Sequence, residues 1–86
     1  MRIAIVDDDI QMCEQLRTLL NEFLGDSSEI SDYRSGEEFL NAWETADFDL
    51  IILDIMLPET DGVEILKILR NTAEYMDIPV IMATAN

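Results

Sequence analysis

Three places in this chain carry residues whose types and spacing could do chemistry together. Asp7-Asp8-Asp9 closes the apolar run Arg2–Val6, Asp54 closes the apolar run that starts at Leu50, and Thr84 follows Val80-Ile81-Met82-Ala83. Each therefore falls at the C-terminal end of an expected strand. In an open parallel α/β sheet, ligands gather outside those ends, where the winding direction reverses. If the first strand lies beside the third, Asp8 and Asp54 share one crevice. Crowded carboxylates repel one another and tolerate the crowding best around a divalent cation. The chain has no His and only one Cys, so the donors are oxygens. That set favours Mg²⁺, Mn²⁺ or Ca²⁺ over zinc, and an incomplete cage that leaves room for water and phosphate favours Mg²⁺. A carboxylate beside such an ion can attack a phosphoryl group and become an acyl phosphate. The Thr84 hydroxyl could donate to a phosphoryl oxygen. Taken singly, each piece also has a plain structural reading. Asp7-Asp8-Asp9 could cap a helix, Asp54 could be a solvated strand end, and Thr84 favours strands anyway.

The elements that must position these residues alternate along the chain. Arg2–Val6 reads as a buried strand, and Asp9 as the cap of the helix after it. Met12, Leu16, Leu19, Leu20 and Phe23 recur at helical spacing on one face, and Gly25 is a C-terminal stop. Glu29–Tyr33 reads as a short edge strand. Ser35 and Glu38 fit a capping box, and Phe39, Leu40, Ala42 and Trp43 form the stripe of a second helix. Asp49–Asp54 is apolar on both faces, as expected of a central parallel strand. Asp61-Gly62 starts a third helix with Val63, Leu66, Leu69 and Ala73 on one face. Pro79 opens a last strand, Val80–Ala83. The βαβαβαβ order predicts a parallel sheet with right-handed crossovers, and if the first strand lies beside the third, the second lies on the other side of the first.

Bulk composition narrows the function classes. Nineteen acids against five bases give a net charge of −14, a surface that repels nucleic-acid backbones. No apolar run approaches the ~18 residues of a membrane span. The lone Cys13 cannot form an intrachain disulfide and reads as a small buried hydrophobe, which suits a reducing cytoplasm. Three scattered glycines make no phosphate loop, so a nucleotide-binding domain is not indicated.

In combination, these features resemble the receiver domains of bacterial two-component response regulators. The matching residues are Ile5-Val6-Asp7-Asp8-Asp9, Asp54-Ile55-Met56-Leu57-Pro58, Asp61-Gly62 with the glycine eight residues past Asp54, and Ala83-Thr84-Ala85 with Thr84 thirty past it. The resemblance implies an α/β fold, a three-layer doubly wound parallel sheet of the flavodoxin-like receiver type with strand order 2-1-3-4, and Asp54 as phosphoacceptor. It also implies Mg²⁺ held by Asp8, Asp54 and the backbone carbonyl of Met56, with Asp7 acting through water. Thr84 would be the hydroxyl switch, while Pro58 and Gly62 would shape the adjacent loop. The implied partners are a sensor histidine kinase and a separate, DNA-binding output domain. The domain would catalyse only its own phosphorylation and dephosphorylation. A non-phosphorylated interaction module of the same fold is the alternative. Loss of Asp8 or Asp54 would mark it, and both are present. Haloacid-dehalogenase-type phosphatases want a second Asp two residues after the nucleophile, where Met56 stands.

The chain stops after the fourth expected strand, before the family's fourth helix, fifth strand with its Lys, and fifth helix. The expectation is therefore a partial receiver over residues 1–86 that binds Mg²⁺ if it folds but is phosphorylated slowly or undetectably. Its uncovered fourth strand is expected to drive self-association.

Overall fold

The first strand, β1 (Arg2–Val6), is short and dominated by β-branched residues, and Ile3 through Val6 are fully buried. The computed structural model describes residues 1–43, 47–54, 57, 62–72, 75 and 77–83, apart from the side chain of Asp26. The chain continues through α1 (Ile10–Leu24), a 3₁₀ turn (Gly25–Ser27), β2 (Glu29–Tyr33), α2 (Gly36–Ala42), β3 (Leu50–Asp54), α3 (Gly62–Arg70) and β4 (Val80–Ala83). The expectations at Met56, Pro58, Asp61, Ala73 and Thr84 fall outside the described residues.

All pairings are parallel, as the alternating pattern predicts, and the strand order is β2-β1-β3-β4, as the family resemblance implies. Ile5 is level with Asp32 on one side and Ile52 on the other, and Ile52 is level with Ile81. The register runs Val6 beside Leu53 and Asp54 beside Ala83. One step further along β1 sets Asp7 level with Asp54. Side chains alternate between faces, and the core divides accordingly. Ala4, Val6, Ile51 and Leu53 pack against Phe39, Trp43, Ile65 and Leu69, with Phe48, Leu57 and Tyr75 completing that cluster. Ile3, Ile5 and Ile52 pack against Cys13, with Leu16 and Leu20 flanking. The result is three layers, with α1 on one face and α2 with α3 on the other.

Local signals fix the helix ends. Asp9 caps α1 by accepting the N–H groups of Gln11 (2.9 Å) and Met12 (3.3 Å). Gly25 ends α1 at φ 75°, a left-handed backbone that favours glycine. Ser35 Oγ accepts the Glu38 N–H at 3.1 Å. Glu38 reaches back to the Arg34 N–H at 2.8 Å, one residue earlier than a standard capping box would predict.

Two helix faces differ from expectation. On α1, Leu16 and Leu20 meet the sheet, whereas Leu19 is 50% and Phe23 83% exposed. Cys13, Leu16 and Leu20 recur at i, i+3 and i+7 and form the narrow strip that one helix lays on a sheet. On α3, Ile65 and Leu69 are fully buried, while Val63 is partly exposed. Trp43 is a core residue, as expected. Its ring lies 4.9 Å from that of Tyr75, whose hydroxyl donates to the Trp43 carbonyl.

Candidate metal centre

Alternation along the strands aims the two acids at one side of the sheet. Odd positions of β1 (Ile3, Ile5) and even positions of β3 (Ile52) face α1. Asp7 continues the first series and Asp54 the second. Asp7, Asp8 and Asp54 each offer a carboxylate oxygen within 4.8 Å of the other two. Asp7 is 4% and Asp54 3% exposed, while Asp8 opens to solvent. The two acidic segments far apart in sequence therefore meet at one rim.

The three consecutive aspartates have distinct surroundings. Asp9 turns back to cap α1 and leaves the cluster to its neighbours. Asp7 is the most constrained of the three. Its N–H donates to the Tyr33 carbonyl at 2.9 Å, extending the β1–β2 ladder. Its Oδ1 accepts the Asp9 N–H at 2.9 Å. Its backbone carbonyl accepts the Cys13 thiol at 3.5 Å. Burial raises the Asp7 pKa above the usual carboxylate value. The Asp9 N–H partly offsets that rise, and repulsion from Asp54, Asp8 and Asp9 adds to it. A buried acid in this state sits beside like charges with a penalty that a nearby cation would relieve.

The donor set fits a hard divalent ion. Three carboxylates supply oxygens only, one of them facing water, so the cage leaves positions for solvent or a phosphoryl group. Met56 and Thr84 lie outside the described residues. Beside the cluster stand Cys13, expected as a small buried hydrophobe, and three residues that sequence reasoning did not single out, Arg17, Asp32 and Arg34. Cys13 contacts both Asp7 and Arg34, and Arg34 with Arg17 clamps Asp32 at the end of β2. The spacing of Asp32 and Arg34 on one strand face hinted at their pairing. Nothing in the sequence linked Arg34 to Cys13.

A parallel α/β sheet with order 2-1-3-4 and an acidic trio at its carboxyl rim defines a class of signalling module. A family model described as the response regulator receiver domain matches residues 3–86, and the chain belongs to that family. It is 39% identical over 85 residues to the response regulator MprA of Mycobacterium avium (strain 104), an alignment covering 99% of this chain and 35% of that protein. It is 35% identical to the transcriptional regulatory protein CiaR of Streptococcus pneumoniae, with the same coverage. The chain thus spans about a third of the length of these curated relatives. Among solved structures, the N-terminal domain of a response regulator receiver protein from Methanoculleus marisnigri JR1 superposes with TM-score 0.85 at 34% identity. That match covers 99% of this chain and 67% of the other. The response regulator TrrA of Thermotoga maritima, solved in complex with Mg²⁺-BeF, gives TM-score 0.84 at 34% identity, covering 99% of this chain and 70% of that one. Among the described residues, no helix is long and apolar enough to cross a membrane.

Proposed function

We propose that this receiver domain accepts a phosphoryl group on Asp54 from a partner histidine kinase in the cytoplasm and passes the change to an output domain that controls transcription. The observation that carries the reading is the convergence of Asp7, Asp8 and Asp54 oxygens within 4.8 Å at the sheet rim. In this reading, Asp8, Asp54 and the Met56 carbonyl hold Mg²⁺, and Asp7 orients a bound water. When bound, the ion screens negative charge on the incoming phosphoryl oxygens and on the carboxylates. An Asp54 oxygen attacks phosphorus in line as the N–P bond of a phosphohistidine protonated on its other ring nitrogen breaks, leaving an acyl phosphate on Asp54 and, with that proton retained, a neutral imidazole on the donor. Asp54 is almost wholly buried at the end of β3, so it is held in place and little rearrangement is required. The Thr84 hydroxyl donates to the new phosphoryl group and moves with it. The β4 edge, which borders β3 alone among the described strands, pairs with a second copy of the 86-residue chain.

The test is a titration with Mg²⁺ and then beryllofluoride, followed by backbone NMR. Residues flanking Asp7, Asp8 and Asp54 are expected to shift with Mg²⁺ and again with beryllofluoride, and Asp54→Asn should lose the second response. Mg²⁺-dependent shifts without any response to beryllofluoride would favour the non-phosphorylated interaction module instead. No response to either would remove the proposal.

A further inference from the structure

The backbone carbonyl of Asp7 is held by a chain of contacts that the phosphoacceptor reading does not use. Arg34 Nη1 donates to Cys13 Sγ at 3.3 Å, and the Cys13 thiol donates to the Asp7 carbonyl at 3.5 Å. Cys13 is only 1% exposed. Arg34 is itself fixed from two directions. Its Nη1 also donates to Asp32 Oδ2 at 2.9 Å, and its backbone N–H to Glu38 Oε2 at 2.8 Å. Asp32 is held in turn by Arg17 Nη2 at 3.0 Å, while Arg17 Nη1 reaches the Ile30 carbonyl at 3.0 Å. Side chains from β2 and α1 thereby converge on one guanidinium, and α2 holds the backbone of the same residue.

We propose that Arg34 is a positioning residue for the metal centre, acting through Cys13 on the peptide unit that joins Asp7 to Asp8. The proposal rests on the metal-centre reading above. A thiol is a weak donor and a weak acceptor. A charged donor on its sulfur polarises the S–H bond and strengthens what it donates onward. The acceptor is the carbonyl of Asp7, so its direction fixes the plane of the Asp7–Asp8 peptide and the angle at which Asp8 leaves the strand. Asp8 is the exposed member of the trio and depends on its backbone for placement. Ligand sets tolerate errors of only ~0.5 Å, so a small rotation of this peptide is felt in cation affinity.

The sign of the effect separates this role from a simple charge effect. Arg34 is a cation on the same rim as the expected ion. Removing its charge through space would tighten Mg²⁺ binding, whereas losing the contact chain loosens it. The experiment measures Mg²⁺ affinity and the Asp7 carbonyl ¹³C shift in the metal-free state for the wild-type chain, Arg34→Gln, Arg34→Lys, Cys13→Ala, Cys13→Ser and the Arg34→Gln/Cys13→Ala pair. Urea unfolding of each variant runs alongside as a stability control. Arg34→Gln and Cys13→Ala are each expected to weaken Mg²⁺ binding about threefold and to move the Asp7 carbonyl resonance in the same direction. The double variant is expected to be no weaker than Cys13→Ala, because both changes cut one chain. Cys13→Ser, which keeps a donor and an acceptor, and Arg34→Lys, which keeps a charged donor, are expected to recover most of the loss. Tighter or unchanged Mg²⁺ binding in Arg34→Gln, or additive losses in the pair, would overturn the proposal, even if stability fell. Failure of the wild-type chain to bind Mg²⁺ at all would overturn the metal-centre reading instead, and the carbonyl shifts would still report whether the contact chain exists.

Discussion

Asp7 and Asp54 hold carboxylates on neighbouring strands, both almost wholly buried, with oxygens no more than 4.8 Å apart. At an effective dielectric constant of ~20, two unit charges about 5 Å apart repel by about 3 kcal/mol. The metal-free fold therefore carries a built-in strain at this rim. Asp54→Asn is expected to stabilise the metal-free chain by up to about 3 kcal/mol. Urea unfolding without Mg²⁺ measures this. A variant less stable than wild type would show that contacts made by the Asp54 carboxylate outweigh this repulsion.

Ligand linkage supplies a second expectation. An ion that binds only the folded chain stabilises it by ~2.7 kcal/mol at a hundred times its Kd. Asp8→Asn is expected to remove most of that gain. Asp9→Asn is expected to keep it, since Asp9 serves the α1 cap and Asn caps nearly as well. Unfolding midpoints of the two variants, with and without Mg²⁺, decide the matter. Equal losses in both would contradict the division of labour among the three aspartates.

Two acids give pH dependences of opposite sign. Burial, with repulsion from Asp54, Asp8 and Asp9, raises Asp7 above its ordinary value of 3.8. The folded metal-free chain thus holds the Asp7 proton more tightly than the unfolded chain. Its contribution favours folding at low pH and is lost as pH rises through the raised value. For Asp32, burial pushes the pKa up, but the Arg34 hydrogen bond and the charges of Arg17 and Arg34 outweigh it and leave the pKa lowered. Its contribution is present above 3.8 and disappears as pH falls through the lowered value. Unfolding curves of Asp7→Asn and Asp32→Asn across the acid range are expected to lose one slope each. Identical profiles would refute the assignment.

The β4 edge predicts association of the 86-residue chain. Ile81 lies on the α1 face of β4, level with Ile52, and is 52% exposed. Sedimentation at increasing concentration is expected to show dimers, and Ile81→Lys is expected to shift the population to monomers. A monomeric mass at every concentration would count against edge pairing.

Much of this architecture was legible because several signals agreed at each position. Arg2–Val6 and Leu50–Asp54 are apolar runs closed by acids, and Asp9, Gly25 and Ser35 mark helix ends by their own hydrogen-bonding and backbone chemistry. The strand order came with the family resemblance, and the shared crevice of Asp8 and Asp54 followed from it. Less was legible where periodicity marks a face without its width. Leu19 and Phe23 fit the α1 stripe but stand outside the strip that touches the sheet, and Cys13 takes the buried place. The Arg34–Cys13 contact joins residues from different elements and is set by how α1 crosses β1 and β2. No local pattern encodes it. The burial of Asp7 was hidden for a related reason. A run of three acids looks uniformly exposed until the pleat turns one of them inward.

The strand at the centre of the sheet is also the earliest one translated. Arg2–Val6 leaves the ribosome before either neighbour, and its partners on both sides are at Glu29–Tyr33 and Leu50–Asp54. The nascent chain must keep this oily segment from misassociating until β3 has emerged. The acidic trio does not exist before that moment, because one of its members ends β3. An ion held by all three could only latch a sheet whose middle strands, β1 and β3, have already paired, so its uptake would report that one closure, whether or not β4 has yet joined.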